Sequence, residues 1–101
     1  MSKILVIEDD TEFNQILCNA LMKKGYSVLS ALDGKEGIDL YRKTLADLII
    51  TDILMPEQDG IEVILNLKKI SPNVKIIAIS GGGQFGSGQE YLQSAQVVCG
   101  V

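Results

Sequence analysis

The chain has 101 residues, 47% of them hydrophobic and 22% charged, with a formal net charge of -4 and no histidine, which predicts one small soluble domain, residues 1–101, around a single core. The nine Lys and Arg residues are scattered, which excludes the basic footprint of direct nucleic-acid binding. The lack of histidine excludes His-based triads, histidine metal ligands and a phosphohistidine carrier.

No apolar run is long enough to span a bilayer, and Met1-Ser2-Lys3 leads into a strand pattern rather than a signal peptide. A cytoplasmic location without membrane contact is therefore expected. Cys18 and Cys99 each fall in a helical pattern, which favours reduced core thiols over a disulfide.

In chain order, Lys3 to Ile7 is an almost unbroken aliphatic run, the pattern of a central parallel strand covered on both faces. A helix follows, capped by Asp10 or Thr11. Glu12 favours its positive end, Phe13, Ile16, Leu17, Ala20 and Leu21 recur at helical spacing, and Gly25 stops it. Tyr26 to Ala31 reads as a second strand. Asp33-Gly34 opens a short helix with Ile38, Tyr41 and Leu45 as its buried positions.

The third strand is Leu48 to Thr51, apolar and β-branched up to Asp52, after which Met55-Pro56 breaks regular structure before Gly60. Ile61 to Ile70 is a third helix, Ser71-Pro72-Asn73 a turn and Val74 to Ile79 a fourth buried strand. Gly81-Gly82-Gly83 makes a loop after Ser80, and Gln89 to Cys99 is expected to be a fourth helix. This alternation predicts an α/β fold with a parallel sheet wrapped by helices through right-handed crossovers.

Ligand sites in such a sheet gather beyond the carboxyl ends of the strands. Glu8, Asp9 and Asp10 follow the first strand there, Asp52 ends the third and Ser80 the fourth. Carboxylates crowded at one edge repel one another unless a cation sits among them. Mg2+ suits such a place, because it takes oxygen ligands in octahedral geometry and is content with one or two carboxylates. With charge neutralised, a carboxylate can attack phosphorus and become an acyl phosphate, toward which the Ser80 hydroxyl is placed to donate.

Each feature also has a plainer reading. Glu8-Asp9-Asp10 alone is a charge-favoured helix start, Asp52 alone a turn former, and Ser80 beside three glycines mere loop composition. Their joint placement after buried strands favours a site over these readings. The glycine loop lacks the Lys-Ser/Thr ending of a phosphate cradle.

Three segments carry a resemblance to the receiver domains of two-component response regulators. They are Ile4-Leu5-Val6-Ile7-Glu8-Asp9-Asp10, then Asp47 through Pro56 with Asp59-Gly60, then Val74 through Ser80-Gly81. The resemblance implies a flavodoxin-like doubly wound fold, Mg2+ as cofactor, and phosphorylation by a sensor histidine kinase or histidine phosphotransfer protein to switch an output domain or effector. It makes Asp52 the phosphoacceptor. Glu8, Asp9, Asp52 and the Leu54 backbone carbonyl become the metal ligands, and Asp10 is left as the helix cap. Ser80 becomes the switch hydroxyl, Gly81 the small residue at the phosphoryl entrance, and Pro56 and Gly60 the shapers of the loop.

The resemblance also implies a lysine ending a fifth strand, for which Lys3, Lys68, Lys69 and Lys75 are wrongly placed. A receiver domain truncated at its C-terminus, lacking the fifth strand and last helix, is the resulting expectation. It would leave Val74 to Ile79 as an apolar sheet edge inviting dimerisation or domain swapping. Two rivals remain open. One is a magnesium-dependent phosphatase with an aspartate nucleophile, which would want an acid where Leu54 stands. The other is a receiver-like interaction module that is never phosphorylated. On the leading reading the protein is no enzyme beyond gaining and losing its own phosphoryl group.

Overall fold

The structure, a computed structural model, describes residues 2–55, 58–80 and 96–100. Strand β1 (Lys3–Ile7) leads to helix α1 (Thr11–Lys23), β2 (Ser27–Ala31) to α2 (Gly34–Thr44), and β3 (Leu48–Asp52) to a small pair, β4 (Leu54–Met55) and β5 (Gln58–Asp59). Helix α3 (Gly60–Ile70), β6 (Ile76–Ser80) and β7 (Gln96–Gly100) complete the order. The main sheet runs β2-β1-β3-β6-β7, with the first four strands parallel.

Alternation along β1 divides the core into two layers, because successive strand residues face opposite sides. Leu5 and Ile7 join Ala31, Tyr41, Ile49, Val63, Leu67 and Ile76 on the side of α2 and α3. Ile4 and Val6 join Phe13, Cys18, Ile50 and Ile79 on the side of α1. Strands covered on both faces in this way need apolar residues at every position, which is why their runs are nearly continuous.

The helix ends follow from their capping residues. The Asp10 side chain accepts from the Phe13 N–H at 2.9 Å, which settles the choice between Asp10 and Thr11 as the cap of α1. Gly25, at φ 98°, lies just past the end of that helix in a conformation that only glycine adopts cheaply. In α2 the Asp33 carboxylate accepts from the Glu36 N–H at 2.7 Å while the Glu36 carboxylate accepts from the Leu32 N–H, one residue before the cap, at 2.9 Å, a variant of the capping box that closes the first turn.

Three expectations are corrected. Leu45 is not buried: it terminates α2 in the left-handed region at φ 49° and is 60% exposed, while Gly34, Gly37 and Tyr41 form the buried side of α2. Residues 96–99 of the expected fourth helix lie instead in β7, antiparallel to β6; positions 89–95 lie outside the described residues. The apolar edge expected at β6 is therefore covered, since Ile77 and Ala78 pair with Gly100 and Cys99. The self-association argued from an open edge loses its basis. Among the described residues no parallel fifth strand is formed, and its place in the sheet is held by β7.

Candidate functional site

The parallel register decides which polar residues meet. Ile7 pairs with Thr51, so the next residues along the two strands, Glu8 and Asp52, reach the carboxyl edge side by side. Asp52 pairs with Ile79 across β3 and β6, which sets Ser80 one position further along the neighbouring strand. Asp9 follows Glu8 in the turn to α1. The carboxylates of Glu8, Asp9 and Asp52 offer oxygens that all lie within 4.8 Å of one another.

This cluster is costly on its own. Glu8 is 1% exposed and Asp52 3%, and burying an ionised carboxylate carries a large desolvation penalty unless it is paired. One Glu8 oxygen, Oε2, accepts from the Asp10 N–H at 3.0 Å. The other, Oε1, is buried with no hydrogen-bond partner. Burial pushes the Glu8 carboxyl up to about 9; the Asp10 N–H pulls the other way, and the Asp52 and Asp9 carboxylates add to the rise.

An oxygen-only donor set with an orphaned, buried carboxylate oxygen fits a hard divalent cation, which would supply the missing partner and cancel the repulsion. The positive end of α1, which starts at Thr11 directly after the acids, favours negative charge at the same place.

Further residues named from the sequence are placed as follows. Leu54 begins β4 two positions after Asp52, and its backbone is paired with Asp59. Gly60 opens α3 against the backbone of Ile53, where a Cβ would come within 2.4 Å of the Ile53 Cα. Only glycine lets α3 start this close to the segment leaving Asp52. Pro56 and Gly81 lie outside the described residues. Lys3 begins β1 and Lys75 directly precedes β6, so both stand at the amino edge, a strand length of about 16 Å from the acids. The Lys68 ammonium donates to the Val74 carbonyl at 3.0 Å.

One residue at the site was not singled out from the sequence. Asn14 is 4% exposed, and its side-chain amide donates to the Glu8 carbonyl at 3.0 Å and to the Ala31 carbonyl at 3.1 Å. The apolar spacing of α1 gave no hint of it, because a polar residue between Phe13 and Ile16 reads as part of the solvated face.

Residues 4–97 match the family model described as the response regulator receiver domain. The chain is 36% identical over 83 residues to the chemotaxis protein CheY of Thermotoga maritima, a match covering 81% of this chain and 69% of that protein. Among solved structures it resembles the response regulator protein TrrA of Thermotoga maritima in complex with Mg(2+)-BeF. The TM-score there is 0.75 and the identity 32%, over 79% of this chain and 70% of that one. It also resembles, with a TM-score of 0.75 and 31% identity over 86% of this chain and 75% of the other, a chain in the structure of histidine kinase ThkA in complex with TrrA.

Proposed function

The chain belongs to the response regulator receiver domain family, whose members are signalling modules, and on that premise we propose that Asp52 accepts a phosphoryl group with Mg2+ bound among Glu8, Asp9 and Asp52. The observation that carries this reading is the convergence of those three carboxylates, two of them buried and one with an orphaned oxygen.

Glu8, Asp9, Asp52 and the Leu54 backbone carbonyl would hold the ion. When bound, the ion supplies charge neutralisation for the acids and for the incoming phosphoryl oxygens. Asp52 does the covalent work: a carboxylate oxygen attacks phosphorus and a P–O bond forms. The P–N bond of a donor phosphohistidine breaks, and its electron pair stays on the imidazole, which is then protonated. Glu8 and Asp9 hold charge and position without reacting. Ser80, at the end of the strand next to Asp52, would donate its hydroxyl to the new phosphoryl group. Gly81 would be the small residue at the phosphoryl entrance, and Pro56 and Gly60 the shapers of the loop after Asp52.

Residues 1–101 act as one receiver module in the cytoplasm, and no helix among the described residues is long and apolar enough to cross a membrane. The partner that donates the phosphoryl group is a sensor histidine kinase or a histidine phosphotransfer protein, a role supported by the kinase complex of the similar TrrA. An output domain or effector reads the phosphorylated state. The chemistry of the module is confined to gaining and losing its own phosphoryl group.

The test is incubation with a small acyl phosphate and Mg2+, followed by intact mass and acid and base treatment. The expected product carries one acid-stable, base-labile phosphoryl group, absent from Asp52→Asn. An unmodified protein would leave a receiver-like interaction module, and turnover of an external phosphoester would favour the phosphatase reading.

A further inference from the structure

Asn14 stands in the first turn of α1, between the core residues Phe13 and Cys18, at a buried position where a polar side chain without partners would be costly. Its amide is instead fully engaged. Both hydrogens are used on backbone carbonyls from two different strand ends, Glu8 at 3.0 Å and Ala31 at 3.1 Å. The amide oxygen accepts from the Cys18 thiol at 3.3 Å. These bonds spend the whole donor capacity of the side chain.

The Ala31 carbonyl also accepts the Glu8 N–H, at 3.0 Å. The N–H and the C=O of Glu8 are thereby tied to one polar junction, the first through Ala31 and the second directly through Asn14. Fixing both peptide groups of a residue fixes the direction in which its Cα–Cβ bond leaves the backbone. For Glu8 that direction leads into the acid cluster.

We infer that Asn14 is a positioning residue, which locks the backbone of Glu8 between the ends of β1 and β2 and so sets the affinity of the acid cluster for Mg2+. The inference rests on reading that cluster as the Mg2+ site. Partners that orient metal ligands from outside contribute substantially to metal affinity, and buried polar groups with all their bonds made are the ones able to hold a ligand rigid.

The experiment is a Mg2+ titration of the 15N-labelled full chain, followed at the amides of Glu8, Asp9 and Asp52, for the wild type, Asn14→Leu and Ile4→Val. Leu is close in size to Asn, adds no charge and cannot donate. Asn14→Leu should bind Mg2+ on the order of tenfold more weakly. Ile4→Val, which opens a small gap in the same layer of core without touching the hydrogen bonds of Asn14, should lower the melting temperature and leave the affinity unchanged.

A folded Asn14→Leu protein with wild-type affinity would overturn the inference, as would an equal loss in Ile4→Val, which would mark general core damage. A wild type that does not bind Mg2+ would overturn the reading of the acid cluster as well. Where Asn14→Leu does not fold, the wild-type side-chain amide of Asn14 decides. Its hydrogens should exchange slowly with solvent, and more slowly once Mg2+ is saturating; fast, metal-independent exchange would refute the role.

Discussion

At the amino edge of the sheet the polar groups are paired with one another, and at the carboxyl edge they are crowded against their own kind. Around the amino edge the Lys3 N–H donates to the Asp47 carboxylate at 2.8 Å, and the Asp47 N–H returns a bond to the Lys3 carbonyl at 2.9 Å. The Ser27 N–H meets the Ser2 carbonyl and the Ile49 N–H the Lys75 carbonyl. Around the carboxyl edge three carboxylates converge, two of them buried, and a Glu8 oxygen is left with no partner. The same strands thus end in satisfied pairs on one side and, on the other, in crowded carboxylates with one buried Glu8 oxygen left over. Such crowding of acids is retained where something is to be bound.

Substitutions at the two edges should therefore act in opposite ways. The largest effect is expected for Glu8→Gln, which removes a ligand and relieves the repulsion. Mg2+ affinity, read by titration, should fall on the order of a hundredfold, while the metal-free protein should melt at a higher temperature at neutral pH. A lower melting temperature would show that Glu8 is stabilising without metal and would break the contrast.

An intermediate effect concerns pH. The folded-state pKa of Glu8, about 9, lies above its ordinary value of 4.5, so between these values the folded chain binds a proton that the unfolded chain has released. The stability this proton contributes is fully present below about 4.5 and lost as pH rises through about 9. Denaturant melts in EDTA should show stability falling with pH across that window. Saturating Mg2+ should flatten the fall, since the ion replaces the proton, and Glu8→Gln should remove it.

The smallest effect belongs to the amino edge. Asp47→Ala deletes one acceptor at an exposed position and should cost about 1 kcal/mol in chemical denaturation. It should leave Mg2+ affinity and phosphoryl uptake untouched, and a loss of either would mean that the two edges are coupled.

Much of this contrast can be read in the chain itself. The aliphatic runs ending in Glu8 and Asp52 identify buried parallel strands, and in a parallel sheet their polar successors must share an edge, so the acid cluster is legible before any coordinates. What stays hidden depends on tertiary context. Asn14 looks like a surface residue because helical spacing reports side-chain burial but not the carbonyls waiting at the ends of β1 and β2.

Leu45 fits the apolar spacing of α2, yet the helix ends at Thr44 and the left-handed turn carries the side chain outward. Gln96 to Cys99 has a pattern compatible with either helix or strand, and the unfilled edge of β6 decides for the strand. The close approach of Gly60 to the Ile53 backbone is likewise a tertiary fact, although the glycine itself is visible in the sequence.

The most direct measurement is anomalous diffraction from crystals of the full chain soaked in Mn2+, an octahedral oxygen-seeking ion like Mg2+ whose anomalous signal locates it. The account predicts a single ion ligated by carboxylate oxygens of Glu8, Asp9 and Asp52. An ion bound elsewhere, or a cluster that stays metal-free with Glu8 protonated at neutral pH, would contradict it.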